Sequence, residues 1–220
     1  EFKSDGFRWD WTKGFTQNCP ANVSGGQENC TNMSQPDRIV VLQDYADYSW
    51  GLDPTHYVIF EHLGTDSEEL QWANYRISET PSKGVMMWGK MTYDYSLLLA
   101  GNTGANISRM GHQAHGFSAK RLMGYAESHD EERLMYNAYT NGNTGGSKPT
   151  FENLDNCLAR MSSIGAASLL IPGPKMIWHF ADLGMENSIF TCTDGSVNTP
   201  SGGAAGDCKL ATKPQPQWTN

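Results

Sequence analysis

Long apolar runs are missing from this 220-residue chain. No stretch approaches the roughly 18 consecutive apolar residues of a membrane-spanning helix, and no basic segment leads into an apolar one as in a signal peptide. No membrane span is therefore expected. Charge is scarce and lopsided: 18% of residues are charged, and 24 acids against 16 lysines and arginines give a net charge of -8. With no cluster of Lys or Arg to neutralise phosphates, a nucleic-acid partner is excluded. Cysteine is sparse at five copies and shows neither a C-x-x-C pair nor a zinc-like spacing with histidines, which argues against a metal cluster. A G-x-S-x-G elbow, a phosphate-binding P-loop, an H-E-x-x-H pair and internal repeats are also absent.

Hydrophobic residues at 38%, aromatics at 11% and 23 glycines describe a globular chain with many turns. Cys19 and Cys30 bracket one Asn/Gly/Ser-rich loop and Cys192 and Cys208 another, the places where loop-closing disulfides suit an exported protein; Cys157 sits in an apolar helical pattern and reads as a buried thiol. Short apolar runs alternate with helical patterns, the mark of a parallel sheet with crossover helices. Strands are expected at "GFRWD", "HYVIFEH", "GVMMWG", "LMGYAES" and "KMIWHFA". Helices are expected in "SQPDRIVVLQDYADYSWG", with Ser34 as N-cap and Asp37 at the capping-box position, in "DSEELQWANY", in "TYDYSLLLAG" and from Thr150 through "FENLDNCLARMSSIGAASLL" with Leu154, Leu158 and Met161 along one face. Residues 136–150 and 193–208 read as turn-rich loops, and the tail "KLATKPQPQWTN" as extended. "HQAH" (His112, His115) lacks a nearby acidic partner in sequence and reads as a solvated pair.

Three carboxylates fall at strand ends: Asp10 after the first, Glu61 after the second, Asp130 past the fourth. In a parallel α/β sheet or barrel such ends share one rim, where sites are built. A single acid there is most simply a helix cap, but three, each beside a cation or imidazole, suggest chemistry. Glycosidic cleavage needs one carboxylate as nucleophile or base and one carboxylic acid to protonate the leaving oxygen. Arg8, two residues before Asp10 and so on the same strand face, would keep Asp10 ionised. His129 beside Asp130 could bond sugar hydroxyls, and tryptophans such as Trp11 could stack on sugar rings, although strand tryptophans are more often core.

The sequence resembles the α-amylase family of retaining glycoside hydrolases, whose catalytic domain is a (β/α)8 TIM barrel. "DGFRWDWTK" looks like the family's fourth-strand motif, "YVIFEHLG" like the fifth and "AESHDEER" like the seventh, and "PKMIWHFADLGM" is similar to the eighth strand and its loop. The resemblance implies Asp10 as nucleophile, Glu61 as general acid/base and Asp130 as stabiliser of the transition state. It also implies Arg8, His129, Lys13 and Trp11 as substrate contacts, an α-glucan (starch or maltooligosaccharide) as substrate and calcium as a possible bound ion. One departure is Gly14, where many members carry a histidine after the lysine.

Five strands cannot close an eight-stranded barrel, so the expected fold is α/β, a partial (β/α)8 barrel from about the fourth to the eighth strand. Residues 1–190 form that partial barrel in this reading, and 191–220 a disulfide-containing loop and tail. Open first and last strands predict a homo-oligomer, or a chain completed by a missing N-terminal half. A secreted or periplasmic protein is expected. The rival reading is a catalytically weak or silent carbohydrate-binding fragment; transglycosylation by the same acids is a third.

Overall fold

In a computed structural model of the chain, which describes residues 4–192, 194–198 and Cys208, each expected apolar run supplies a strand. The strands are β1 (Gly6–Trp9), β2 (Tyr57–Phe60), β3 (Met86–Lys90), β4 (Leu122–Tyr125) and β5 (Lys175–Met176). They form one sheet in sequential order, β1-β2-β3-β4-β5. β1 pairs with β2, and β2 with β3, in parallel. This is an α/β fold compatible with part of a barrel. Gly6 sits opposite Tyr57, and a Cβ there would lie 2.5 Å from the Tyr57 carbonyl oxygen, so the first pairing requires glycine. β5 is shorter than its apolar run suggests, and Ile177 is exposed just past it.

Six α-helices accompany the sheet: α1 (Gln27–Asn32), α2 (Pro36–Leu52), α3 (Asp66–Ala73), α4 (Thr92–Ala100), α5 (Leu134–Asn141) and α6 (Leu154–Leu169). Pro36 opens α2 in its first turn, where its missing N–H costs nothing. The N-cap, however, is Gln35 rather than Ser34, and it makes no side-chain cap. Asp37 leaves the capping box because its carboxylate accepts the Thr16 hydroxyl at 2.8 Å and the Gln17 N–H at 2.7 Å. Gly101, at φ 88°, ends α4 in the left-handed turn expected of a terminal glycine. α6 starts after Asn153, whose side chain accepts the Asn156 N–H at 2.9 Å. Its expected apolar face is only partly realised, since Cys157 is its buried residue and Leu158 is exposed. α1 and α5 form within stretches that the turn-residue content marks as loops.

Contacts divide the chain into two units, Glu1–Lys90 with Ser108–Gly124 and Ile171–Lys175, and Met91–Ile107 with Tyr125–Leu170 and Met176–Asn220. In the first unit the core joins Leu42, Ala46 and Trp50 of α2 and Trp72 and Ala73 of α3 to Val58 and Phe60 of β2, Val85, Met87 and Leu122. Alternation along a strand sends Val58 and Phe60 into this layer, and Trp9 likewise meets Tyr45 edge-on at 4.9 Å. Arg8 therefore lies on the opposite face, its guanidinium 4.6 Å from the centre of the Trp88 ring. In the second unit α4, α5 and α6 pack on one another around Tyr95, Leu99, Met135, Ala138 and Cys157. The Tyr95 hydroxyl reaches the Ala167 carbonyl at 2.8 Å.

Disulfides join Cys19 to Cys30 and Cys192 to Cys208, and Cys157 is a buried free thiol. Among the described residues no helix is long and apolar enough to cross a membrane. The tail from Lys209 lies outside the described residues.

Candidate active site

The end of β2 delivers Glu61 beside the end of β1. Glu61 N–H donates to the Trp9 carbonyl at 3.0 Å, and the Thr12 N–H donates to the Glu61 carbonyl at 3.0 Å, so the two strand ends are stitched together just where the acids emerge. Arg8 Nη1 donates to Glu61 Oε2 at 2.7 Å and to Asp10 Oδ1 as well. One guanidinium nitrogen thus holds both carboxyls of the expected catalytic pair. Arg8 is itself kept in place by the Trp88 ring.

The two acids sit in unlike surroundings. Glu61 is 8% exposed, whereas the Asp10 side chain is 75% exposed. Burial, and then a hydrogen bond to Asp10, push the Glu61 carboxyl up to about 7, against the opposing pull of the Trp11 N–H and Arg8. At neutral pH Glu61 can therefore carry a proton and share it with Asp10. The spacing expected of a retaining pair is about 5 to 5.5 Å. Here the two carboxyls share one Arg8 nitrogen, and an anomeric centre entering between them would have to part them.

Trp11 follows Asp10 in a left-handed conformation, φ 42° and ψ 52°, which is uncommon for a bulky residue. Its N–H faces Glu61 Oε2 at 3.4 Å, and its ring, more than half exposed, lies over Gly14. A Cβ at Gly14 would come within 3.0 Å of that ring, so glycine there gives Trp11 its room. Lys13 turns away from the carboxyls: its ammonium donates to Asn32 Oδ1 at 2.7 Å and reaches the Leu63 carbonyl at 3.5 Å.

Asp130 and His129 belong to the second unit. His129 Nε2 lies 3.3 Å from Asp130 Oδ2, and its ring centre is 5.6 Å from that of Trp178. Asp130 N–H donates to Ser128 Oγ at 3.2 Å, and Ser128 in turn bonds Glu131, so the "SHDE" turn is fixed by its own side chains.

Beneath the Asp10–Glu61 pair lies a fully buried polar chain that sequence reading missed. Arg38 grips Glu68 with Nε at 2.8 Å and Nη2 at 2.6 Å, and also donates to the carbonyls of Lys13, Thr31 and Met33. Glu68 Oε2 meets His62 Nε2 at 3.0 Å, and His62 Nδ1 meets Thr12 Oγ1 at 3.0 Å. Burial alone would raise Glu68, but hydrogen bonds from His62 and Arg38 bring it down to about 2. An arginine and a glutamate on the apolar faces of α2 and α3 were the available signal.

A second cluster corrects the reading of "HQAH". His115 is buried, not solvated; its Nδ1 lies 2.8 Å from Asp66, and Arg109 closes on Asp66 with two bonds at 2.9 and 2.7 Å. The partner is 49 residues away in sequence, beyond the reach of local spacing. Ligand atoms of Asp66, Glu69 and His115 lie within 4.8 Å of one another. They do not fit calcium, which takes six to eight oxygens, because an imidazole stands among them and a guanidinium already saturates Asp66.

No protein-family model matches this chain, and a search of curated proteins finds no match either.

Proposed function

We propose that the chain is a retaining glycoside hydrolase acting on α-glucans, with Asp10 as nucleophile and Glu61 as general acid/base. The observation that carries this reading is the contrast between two carboxyls gripped by one Arg8 nitrogen, Glu61 buried and raised to about 7, Asp10 open to solvent. Two acids set apart in this way can divide the work of nucleophile and proton donor. Asp10 attacks the anomeric carbon while Glu61 gives its proton to the leaving oxygen; Glu61, now ionised, then deprotonates the water that releases the sugar. Motif resemblance adds Asp130 as the third acid and His129 and the exposed Trp11 ring as sugar contacts. Two disulfides favour an oxidising compartment, in keeping with a secreted or periplasmic protein. The edges of the sheet at β1 and β5, with Phe7 exposed on β1, favour association with a second copy.

A binding-only reading draws on one observation, the openness of Asp10, since a nucleophile left in water loses much of the benefit of an excluded site. Reducing-sugar release from starch separates the two. Glu61→Gln is expected to lower hydrolysis by about 10²- to 10⁴-fold and Asp10→Asn to abolish it. Starch binding with no sugar released by the unsubstituted chain would reject the hydrolase.

A further inference from the structure

Glu61 is held at its carboxyl by Arg8 and at its backbone by Thr12, the residue after Trp11. The Glu61 carbonyl takes the Thr12 N–H at 3.0 Å and faces the Thr12 hydroxyl at 3.1 Å; Thr12 itself is fully buried. Behind Thr12 stands His62, also fully buried, with Glu68 and Arg38 beyond it.

We propose that His62 is a positioning residue for Glu61: clamped by Glu68 and Arg38, its imidazole holds Thr12, and Thr12 fixes both the Glu61 backbone and the left-handed Trp11 whose N–H meets the Glu61 carboxyl. The proposal rests on Glu61 being the acid/base of the preceding section. Proton placement follows from the partners. Ionised Glu68 can only accept, so His62 presents Nε2–H to it. Burial disfavours a second proton on the ring, which leaves Nδ1 bare to accept the Thr12 hydroxyl. Glu61's carbonyl keeps the Thr12 N–H. The charged groups around His62 are Glu68 of α3, Arg38 of α2 and Lys13 of the loop after β1. Those around Glu61 are Arg8, Asp10 and Lys13. An imidazole with both nitrogens fixed cannot turn, so the Thr12 hydroxyl and the strained residue before it have a rigid stop.

Loss of that stop lets Trp11 relax, and its N–H then withdraws from the carboxyl. Because the N–H favours the ionised form, its withdrawal raises the Glu61 titration. The test is the pH titration of Glu61 in the full chain labelled with ¹³C at the glutamate carboxyls, with Glu61→Gln to identify its signal. In His62→Gln and in Thr12→Val the Glu61 midpoint is expected to rise by about half a unit. In His62→Asn, whose amide occupies the place of Nδ1, it is expected to stay near the unsubstituted value. Starch hydrolysis measured alongside should show the same upward move of the alkaline limb and a roughly tenfold lower kcat with KM little changed. An unmoved Glu61 midpoint in folded Thr12→Val, as judged by near-UV circular dichroism, overturns the proposal; Thr12→Val decides the matter if His62→Gln fails to fold. A shifted midpoint in a chain that never hydrolyses starch upholds the positioning role and rejects the hydrolase. Hydrolysis with an unmoved midpoint does the reverse.

Discussion

Replacing Arg38 by methionine should be the most damaging single change near the carboxyl pair, and its cost can be worked from the contacts. Arg38 is wholly buried and spends its guanidinium on five acceptors: two oxygens of Glu68 and the carbonyls of Lys13, Thr31 and Met33. Breaking a buried ion pair by removing one partner costs about 3 to 5 kcal/mol. The buried Thr31 carbonyl, left without a donor, adds about 1 kcal/mol or more, while water can take over part of the bonding at Lys13 and at exposed Met33. The loss should come to about 4 to 6 kcal/mol, on the scale of a domain's whole stability. Glu68→Gln keeps the shape and leaves Arg38 its three carbonyls, so it should cost less, about 3 kcal/mol. The joint change Arg38→Met with Glu68→Leu is the sharper probe. A simple buried pair can often be exchanged for apolar residues at no cost, but here the buried Thr31 carbonyl remains orphaned. Urea unfolding followed by fluorescence of the seven tryptophans gives the free energies. A double variant as stable as the unsubstituted chain, or Arg38→Met within about 1 kcal/mol of it, would refute the accounting.

Three further outcomes can be checked directly. Glu61 acts as an acid only while protonated, and its carboxyl is raised to about 7, so kcat/KM on a maltooligosaccharide should fall as pH rises through about 7; an alkaline limb starting below pH 5 would contradict this. Glu69 is buried and pushed up to about 8, so the folded chain takes up a proton that the unfolded chain gives up above its ordinary carboxyl range, and stability should drain between about pH 4.5 and 8. Glu69→Gln removes that loss and should raise the melting temperature at pH 8 while changing little at pH 4. Finally, the Cys19–Cys30 bridge closes a loop with a sequence separation of 11, so Cys19→Ser with Cys30→Ser should cost about 3 kcal/mol in urea unfolding.

Sequence pattern located the five strands because a strand buried between layers reads as an apolar run, and four of the helices because their turns alternate apolar and polar residues. It set Arg8 and Asp10 on one strand face by period alone, and in the fold Asp10 meets an Arg8 nitrogen that Glu61 shares. What it could not supply were contacts closed over long separations. Glu68 and Arg38 lie 30 residues apart, Thr12 and His62 lie 50, and nothing local announces that the four form one buried chain. Ser34 lost the cap because Asp37 found a better use in the Thr16 turn. The helix α5 was hidden by Asn137, Thr140 and Asn141, whose poor intrinsic preference is outweighed by the packing of Leu134, Met135 and Ala138.

α1 ties two of these features together. Cys30, in its middle, anchors one end of a disulfide, and Thr31, the next residue, lends its carbonyl to Arg38. A six-residue helix is too short to persist unaided in water. The Cys19–Cys30 bridge therefore braces the short helix that seats one of the carbonyls gripped by Arg38, and so reaches, through Glu68 and His62, as far as Thr12.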